Sequence, residues 1–348
     1  MNPELFSKES QIPGTLTSPS PDPSSMELQP PQQVENPQNN AERRSFQETL
    51  QKGSRTFSWA SLFFSHQTYE QVLQLYAWCR ACDDITDGSQ LGWNQNPRGL
   101  PADRVTLIWE QTLQAYHSPH IGQSAEFQAF GRLMKEREIP LIYAQDLIEG
   151  MRHDALELRC NTLKDLFLYC YRVAGVVGLM MTYLMGLKHP RALKNAVSLG
   201  IALQLTNIIR DIGDDFRVGR LYIPMDWLSE LQIDPQELLE EKNYKLLEFM
   251  RRRLSIEAHR HYQEGLAGLI DLPFRAALAV SVAAHLYRAI GDRVIQLGTS
   301  SFITRTTLRT WDRLQATSQG ILFVLLSLPS RIKHRRPLLK ITEIWRPT

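Results

Sequence analysis

Cysteine is scarce, with 4 in 348 residues. Cys79 and Cys82 form a lone C-x-x-C. A zinc site wants a second pair or histidines at ligand spacing, and a redox motif wants a βαβ setting. Neither is present, so the thiols read as reduced, as in the cytosol. Charge of one sign is also missing. The formal net charge is only +2, which gives no global case for a nucleic-acid partner. No unbroken apolar run reaches the roughly 18 residues of a bilayer span; the longest is "ILFVLLSL" (321–328). The first residues lack the basic start and apolar stretch of a signal peptide, and their acidic residues and few arginines argue against a transit peptide. There is no G-x-G-x-x-G, no Gly-rich phosphate loop, and no Ser-His-Asp or Cys-His constellation. Dinucleotide and acyl-transfer chemistry therefore lack their usual signatures.

What is present is helical periodicity. Residues 1–42 are rich in Pro, Ser, Gln and Asn and cannot bury enough apolar surface to offset their ordering entropy, so this tail is expected to be disordered. From 43 to 330, long amphipathic segments are punctuated by "GWNQNPRGLP", "YHSPHIG", "LKHP" and "IDLP". The best strand candidate is the short "RLYIP" (220–224). The fold class is all-α, one layered helical domain. Residues 331–348 form a basic tail beginning "RIKHRRPLLK", a solvated end or a docking element for anionic lipid.

The stretch "QLTNIIRDIGDD" (204–215) is unusual because it closes an apolar helix and yet is acidic. At 100° per residue, Gln204, Asn207, Asp211 and Asp215 fall within about 80° of one another, a stripe about 16 Å long. In "LYAWCRACDDITDG", Tyr76, Arg80, Asp83 and Asp87 fall within about 60°, with Asp84 beside them. Two helices thus carry D-x-x-x-D on faces expected to turn inward. Aspartates at i and i+4 repel, and a buried unpaired carboxylate costs several kcal/mol or takes up a proton. Arg80 and Arg210 compensate only part of such a doubled pattern. Hard divalent cations compensate the rest: Mg²⁺ takes oxygen ligands, a few carboxylates together with substrate phosphates. A single D-x-x-x-D is usually a solvated face; the duplication in apolar helices beside arginines is what favours a Mg²⁺–diphosphate site.

Metal on a diphosphate improves it as a leaving group. If the departing group leaves an allylic cation, that cation needs a dry cavity with few nucleophiles. "YCYRVAGVVGLMMTYLMG" (169–186) is a candidate wall, where Ala174, Gly175 and Gly178 leave room for a lipid chain or for close helix packing. His153 reads as a surface or satisfied core residue, and Asp154 beside it as an ordinary helix charge, with assistance to a metal or water as the alternative.

"YAWCRACDDITDG", "YCYRVAGVVG" and "QLTNIIRDIGDDFRVGRLYIP" resemble the signatures of the squalene/phytoene synthase family, over roughly residues 48–320. The resemblance implies the all-α isoprenoid synthase fold around a central cavity. It implies head-to-head condensation of two geranylgeranyl diphosphates to phytoene through a cyclopropyl (prephytoene) diphosphate, in carotenoid biosynthesis. Alternatives are a squalene, presqualene diphosphate or dehydrosqualene synthase using farnesyl diphosphate, and a non-catalytic scaffold of the same fold. By the resemblance, Asp83, Asp84, Asp87, Asn207, Asp211 and Asp215 hold Mg²⁺, with Mn²⁺ as a substitute, and no NADPH is expected. Asp83, Asp87, Asp211, Asp215, Arg80 and Tyr76 are the implied catalytic set. Ser54, Arg55, Thr56 and Phe57 in "GSRTF", with Arg80, Tyr169, Gly175, Gly178, Gln204, Asn207, Arg210, Arg220 and Tyr222, are the implied substrate contacts. Some members carry histidine where Gly53 stands. The expected setting is cytoplasmic or peripheral at a membrane, since substrate and product are greasy.

Overall fold

The computed structural model describes residues 37–88, 101–118 and 124–329. Most of the 1–42 tail and all of the 331–348 tail lie outside them. Among the described residues there are thirteen α-helices and no strand. Helix α1 (Pro37–Gly53) begins ahead of the boundary drawn from composition. Its Phe46 and Leu50 bury against Leu73, Ala77 and Ala129, so docking orders the end of a segment too polar to order itself.

Ser54 caps α2 (Arg55–Ser61), its hydroxyl accepting from Phe57 N at 3.2 Å. Helix α3 (His66–Asp87) starts at the Ser65 cap and stops at Gly88, whose φ of 63° is the left-handed conformation that ends helices. Next come α4 (Pro101–His117), α5 (Ala125–Arg137) and α6 (Leu141–Ala155). They pack against α3, where the Trp78 ring stacks on Phe130 at 3.7 Å. Helix α7 (Leu163–Cys170) runs through a π-turn (Tyr171–Gly175) into α8 (Val176–Leu184). The long α9 (Pro190–Arg217) packs on α8, the π-turn, and two later helices, α11 (Tyr244–Ala267) and α12 (Phe274–Leu297). The short α10 (Met225–Glu230) comes between α9 and α11 along the chain, and α13 (Thr310–Leu326) closes the bundle against α12.

Two findings correct the sequence reading. The segment 220–224 forms no strand. It leaves a turn at Gly219 (φ 85°) and is pinned beyond its end, where Met225 N donates to Cys160 O at 2.9 Å. Second, Leu163–Leu184 and Pro190–Arg217 are each long and apolar enough in mean hydropathy to cross a bilayer, although neither is an unbroken apolar run. More than half of each is buried inside the bundle, where neighbouring helices surround it as lipid would.

Candidate functional site

Helices α3 and α9 deliver their acid stripes from their last turns. Free carbonyls and the macrodipole already make both helix ends negative, so adding aspartates there disfavours the empty arrangement and favours a cation. The two ends meet. Arg220, just past α9, reaches across to Asp87 of α3, Nη2 to Oδ1 at 2.6 Å. The same end opens onto a cavity of about 400 Å³, within the size range of small-ligand sites.

Asp83, Gln204, Asn207, Ser54 and Tyr76 line the polar end of this cavity. Val173, Ala174, Val177, Gly178 and Met181 supply one apolar wall; Phe57 and Ala60 of α2, Phe64 just beyond it, and Ala279, Val280 and Ala283 of α12 supply others. The wall read from "YCYRVAGVVGLMMTYLMG" is therefore in place. Its π-turn is the kind of local irregularity that often marks functional sites. Gly175, however, faces helix packing rather than the cavity: a Cβ there would meet Tyr171 at 3.1 Å and Val197 at 3.5 Å. Arg55 is exposed and Thr56 half-buried, both outside the cavity lining. At Gly53 a Cβ would lie 2.2 Å from the Tyr76 hydroxyl oxygen, so Tyr76 occupies the space that a larger residue at 53 would need.

Arginines neutralise much of the acid. Arg80 Nη2 donates to Asp84 Oδ1 at 2.7 Å, and its Nη1 lies 3.9 Å from Asp83 Oδ2. Arg210 grips Asp211 with both Nε and Nη2. Arg305 forks onto the same carboxylate at 3.1 and 3.2 Å. Burial raises the Asp211 carboxyl, but these two guanidinium groups outweigh it and hold it below the usual range. Asp83 and Asp215 differ: among the described residues neither carboxylate accepts a hydrogen bond. Burial, then neighbouring carboxylates (Asp87 and Asp154 for Asp83, Asp211 and Asp154 for Asp215), push each up to about 7 against the pull of nearby arginines. The Asp83 side chain retains 47% of its surface, and Asp83 lines the cavity, so part of that surface faces the space a ligand would fill.

The six-residue metal set expected from sequence does not close into a cage. Among the described residues no three His, Cys, Asp or Glu side chains converge tightly enough to hold an ion. Mutual repulsion and pairing with arginine spread the acids along two stripes, and Asp84 is engaged by Arg80 rather than aimed at its fellow acids. The donor set is nevertheless all hard oxygen, at two negative helix ends, with two carboxylates that accept no hydrogen bond. It fits Mg²⁺ that is shared with a diphosphate supplying further oxygens, the usual mode for this ion.

Tyr169 and Tyr222 are absent from the cavity lining. They are buried behind the acids and stack with centroids 4.7 Å apart. Each hydroxyl donates to Asp154, Tyr169 to Oδ2 at 2.9 Å and Tyr222 to Oδ1 at 2.7 Å. Burial, then the Asp154 charge, raises both phenols. Asp154 is thus no ordinary helix charge: it anchors the 220–224 segment that carries Arg220 to Asp87. Asp154→Ala leaves the two buried hydroxyls only each other as partners, at 3.1 Å, so one proton loses its acceptor at about 1–3 kcal/mol. It is expected to lower the melting temperature by about 2 °C or more; an unchanged thermal melt would refute the anchoring role.

Sequence reasoning missed two more contributors. Tyr287 of α12 lines the cavity. Arg305 comes from the connection between α12 and α13, held from behind by the fully buried Arg251. Arg251 stacks on Phe302 at 3.7 Å and donates to Gly298 O and Ser301 Oγ. No periodicity marks these positions, because each reaches the site only through tertiary packing.

The family model for squalene/phytoene synthase matches residues 50–314. The chain is 38% identical to a 15-cis-phytoene synthase of Pantoea ananas over 84% of this chain and 96% of that one. It is 36% identical to one of Enterobacter agglomerans over 85% and 99%. A crystal structure of a dehydrosqualene synthase superposes with a TM-score of 0.73 at 24% identity, covering 83% of this chain and 98% of that one; at that identity the likeness concerns the fold.

Proposed function

The chain belongs to the squalene/phytoene synthase family, and on that premise we propose that it joins two geranylgeranyl diphosphates head to head into phytoene, through a cyclopropyl diphosphate, in carotenoid biosynthesis. It is a prenyl transferase of the isoprenoid synthase fold, and the non-catalytic scaffold reading falls away. The observation that carries the proposal is the junction of two acid helix ends with one apolar cavity. Mg²⁺, held by Asp83, Asp87, Asp211 and Asp215 together with the diphosphates, would neutralise charge on the departing groups.

The chain's own residues supply the rest. Arg80, Arg210, Arg220 and Arg305 offer cationic forks suited to phosphate oxygens. Each now rests on an aspartate, an ion pair that can re-form with phosphate on one side and metal on the other. The apolar walls exclude water from a cationic prenyl chain. Phe57 and Tyr76, stacked at 6.0 Å on the lining, present ring faces that attract positive charge. Four free thiols support a cytoplasmic setting.

The test is a product assay of the purified chain with Mg²⁺, offering geranylgeranyl or farnesyl diphosphate, with and without NADPH. Phytoene from the C20 substrate, independent of NADPH, is the expected result. Preference for the C15 substrate, or a product that forms only with NADPH, would overturn it.

A further inference from the structure

A buried guanidinium costs stability unless it is well paired, and Arg251 of α11 is fully buried and poorly paired. Its Nε and Nη2 find no hydrogen-bond partner among the described residues. Its Nη1 is spent on neutral oxygens, Gly298 O at 3.0 Å and Ser301 Oγ at 2.6 Å. The guanidinium carbon lies 3.7 Å from the centre of the Phe302 ring. Burial lowers the group to about 10, with the Glu248 charge opposing, so it stays protonated at neutral pH. All three contacts fall on one short stretch, 298–302. A methionine would fill the same space without desolvating a charge, so stability alone gives no reason for an arginine here.

That stretch begins the connection that brings Arg305 to Asp211. The chain leaves α12 at Gly298, where φ is 57°, and coils through a 3-10 turn to Phe302. The turn is pressed onto α9 between its two spaced acids. A Cβ on Gly213 would lie 2.5 Å from Phe302 O, and Arg217 Nη2 donates to the same carbonyl at 3.0 Å. Three residues on, the Arg305 side chain keeps 59% of its surface while it forks onto Asp211. A long, exposed side chain has much rotamer freedom to lose, so its aim depends on the backbone that carries it. Arg251 grips that backbone from the core side. We propose that Arg251 is a positioning residue, which holds the 298–302 turn so that Arg305 meets the diphosphate bound beside Asp211. The proposal rests on the prenyl-transfer reading of the site.

The experiment is a double-mutant cycle on the full chain with geranylgeranyl diphosphate and Mg²⁺. Arg251→Met removes the charge at similar volume and strands no acceptor, since Ser301 Oγ still donates to Gly298 O at 2.6 Å. It is expected to lower kcat/KM on the order of tenfold or more, with an unchanged or higher melting temperature. In an Arg305→Ala chain, already slowed, the same substitution should cost nothing further, because Arg251 acts through Arg305. Affinity for Mg²⁺ with inorganic diphosphate, read by thermal shift, should follow the same pattern. Each single variant binds more weakly than the parent, and the double variant binds no more weakly than Arg305→Ala. Where Arg251→Met does not fold, Phe302→Leu, which takes away the ring beneath the guanidinium, carries the same cycle. The proposal is overturned by an Arg251→Met chain that turns over like the parent, or by losses that multiply in the double variant. It is equally overturned by a fall of several degrees in melting temperature with equal kinetic losses in both backgrounds, which would make Arg251 purely structural. A parent that neither turns over a prenyl diphosphate nor binds inorganic diphosphate would take down the functional reading, and this proposal with it.

Discussion

Asp215→Asn is expected to abolish at least about 10³-fold of kcat/KM while raising the melting temperature of the metal-free chain at pH 8. Both effects have one cause. The Asp215 carboxyl is pushed up to about 7 by burial first and the Asp211 charge second, with Arg220 opposing. An acid raised from about 3.9 in the unfolded chain to about 7 in the folded one binds more protons when folded throughout that interval. Its contribution to stability is therefore fully present below about pH 4 and lost as pH rises through about 7. At pH 8 the ionised group works against folding, and its neutral amide isostere does not. The relief should be about 1–2 kcal/mol, since coupling and partial hydration cut the full shift, or about 2 °C or more in a domain this size. Asp83, raised to about 7 for the same leading reason, should add to the slope. The metal-free parent should thus lose stability between pH 4 and 8 more steeply than Asp215→Asn, and added Mg²⁺ with inorganic diphosphate should restore it in the parent alone. Melting curves in a chelator across that range, with single-turnover assays beside them, decide the matter. A variant that keeps activity, or that melts lower than the parent at pH 8, would sink the reading.

Gly200→Val is expected to destabilise the chain more than any substitution in the acid stripes. The π-turn and the start of α8 cross α9 at small residues. A Cβ at Gly200 would sit 2.5 Å from the Ala174 carbonyl oxygen and 2.7 Å from Gly175 Cα, both backbone atoms that cannot swing aside. The helices must part, which loosens the packing along their length and moves Ala174 and Gly178 in the cavity wall. The cost should be about 3 kcal/mol or more, at or above the upper end for overpacked cores, seen as a drop of about 6 °C or more, with poor expression a further symptom. Gly291→Ala is the control: its Cβ would meet Thr206 Cγ2 at 3.4 Å, ordinary contact, and alanine favours the helix. That variant should be neutral or slightly stabilised. If Gly200→Val melts like the parent, the close crossing does not set the wall.

The acid stripes, their arginines and the small-residue wall are legible in the sequence because helical periodicity is local. Once Asp211 and Asp215 lie on a helix, their common face follows from 3.6 residues per turn. Asp154 is misread for the converse reason. Its helix gives no sign that Tyr169 and Tyr222, on two other elements, will bring their hydroxyls to it. The same two tyrosines are expected on the cavity and stand behind the acids instead, because resemblance places a residue near a site without saying which side of it faces the substrate.

The amino-acid order by itself determined the all-α class, the two inward acid faces and the demand for positive charge between them, since each is a property of one helix and its side chains. Tertiary packing decided that Arg220 bridges to Asp87, that Arg305 joins Asp211, and that no protein-only cage forms among the described residues. Those outcomes depend on which faces meet between elements far apart along the chain, and contacts of that range arise from the competition among all the apolar faces at once.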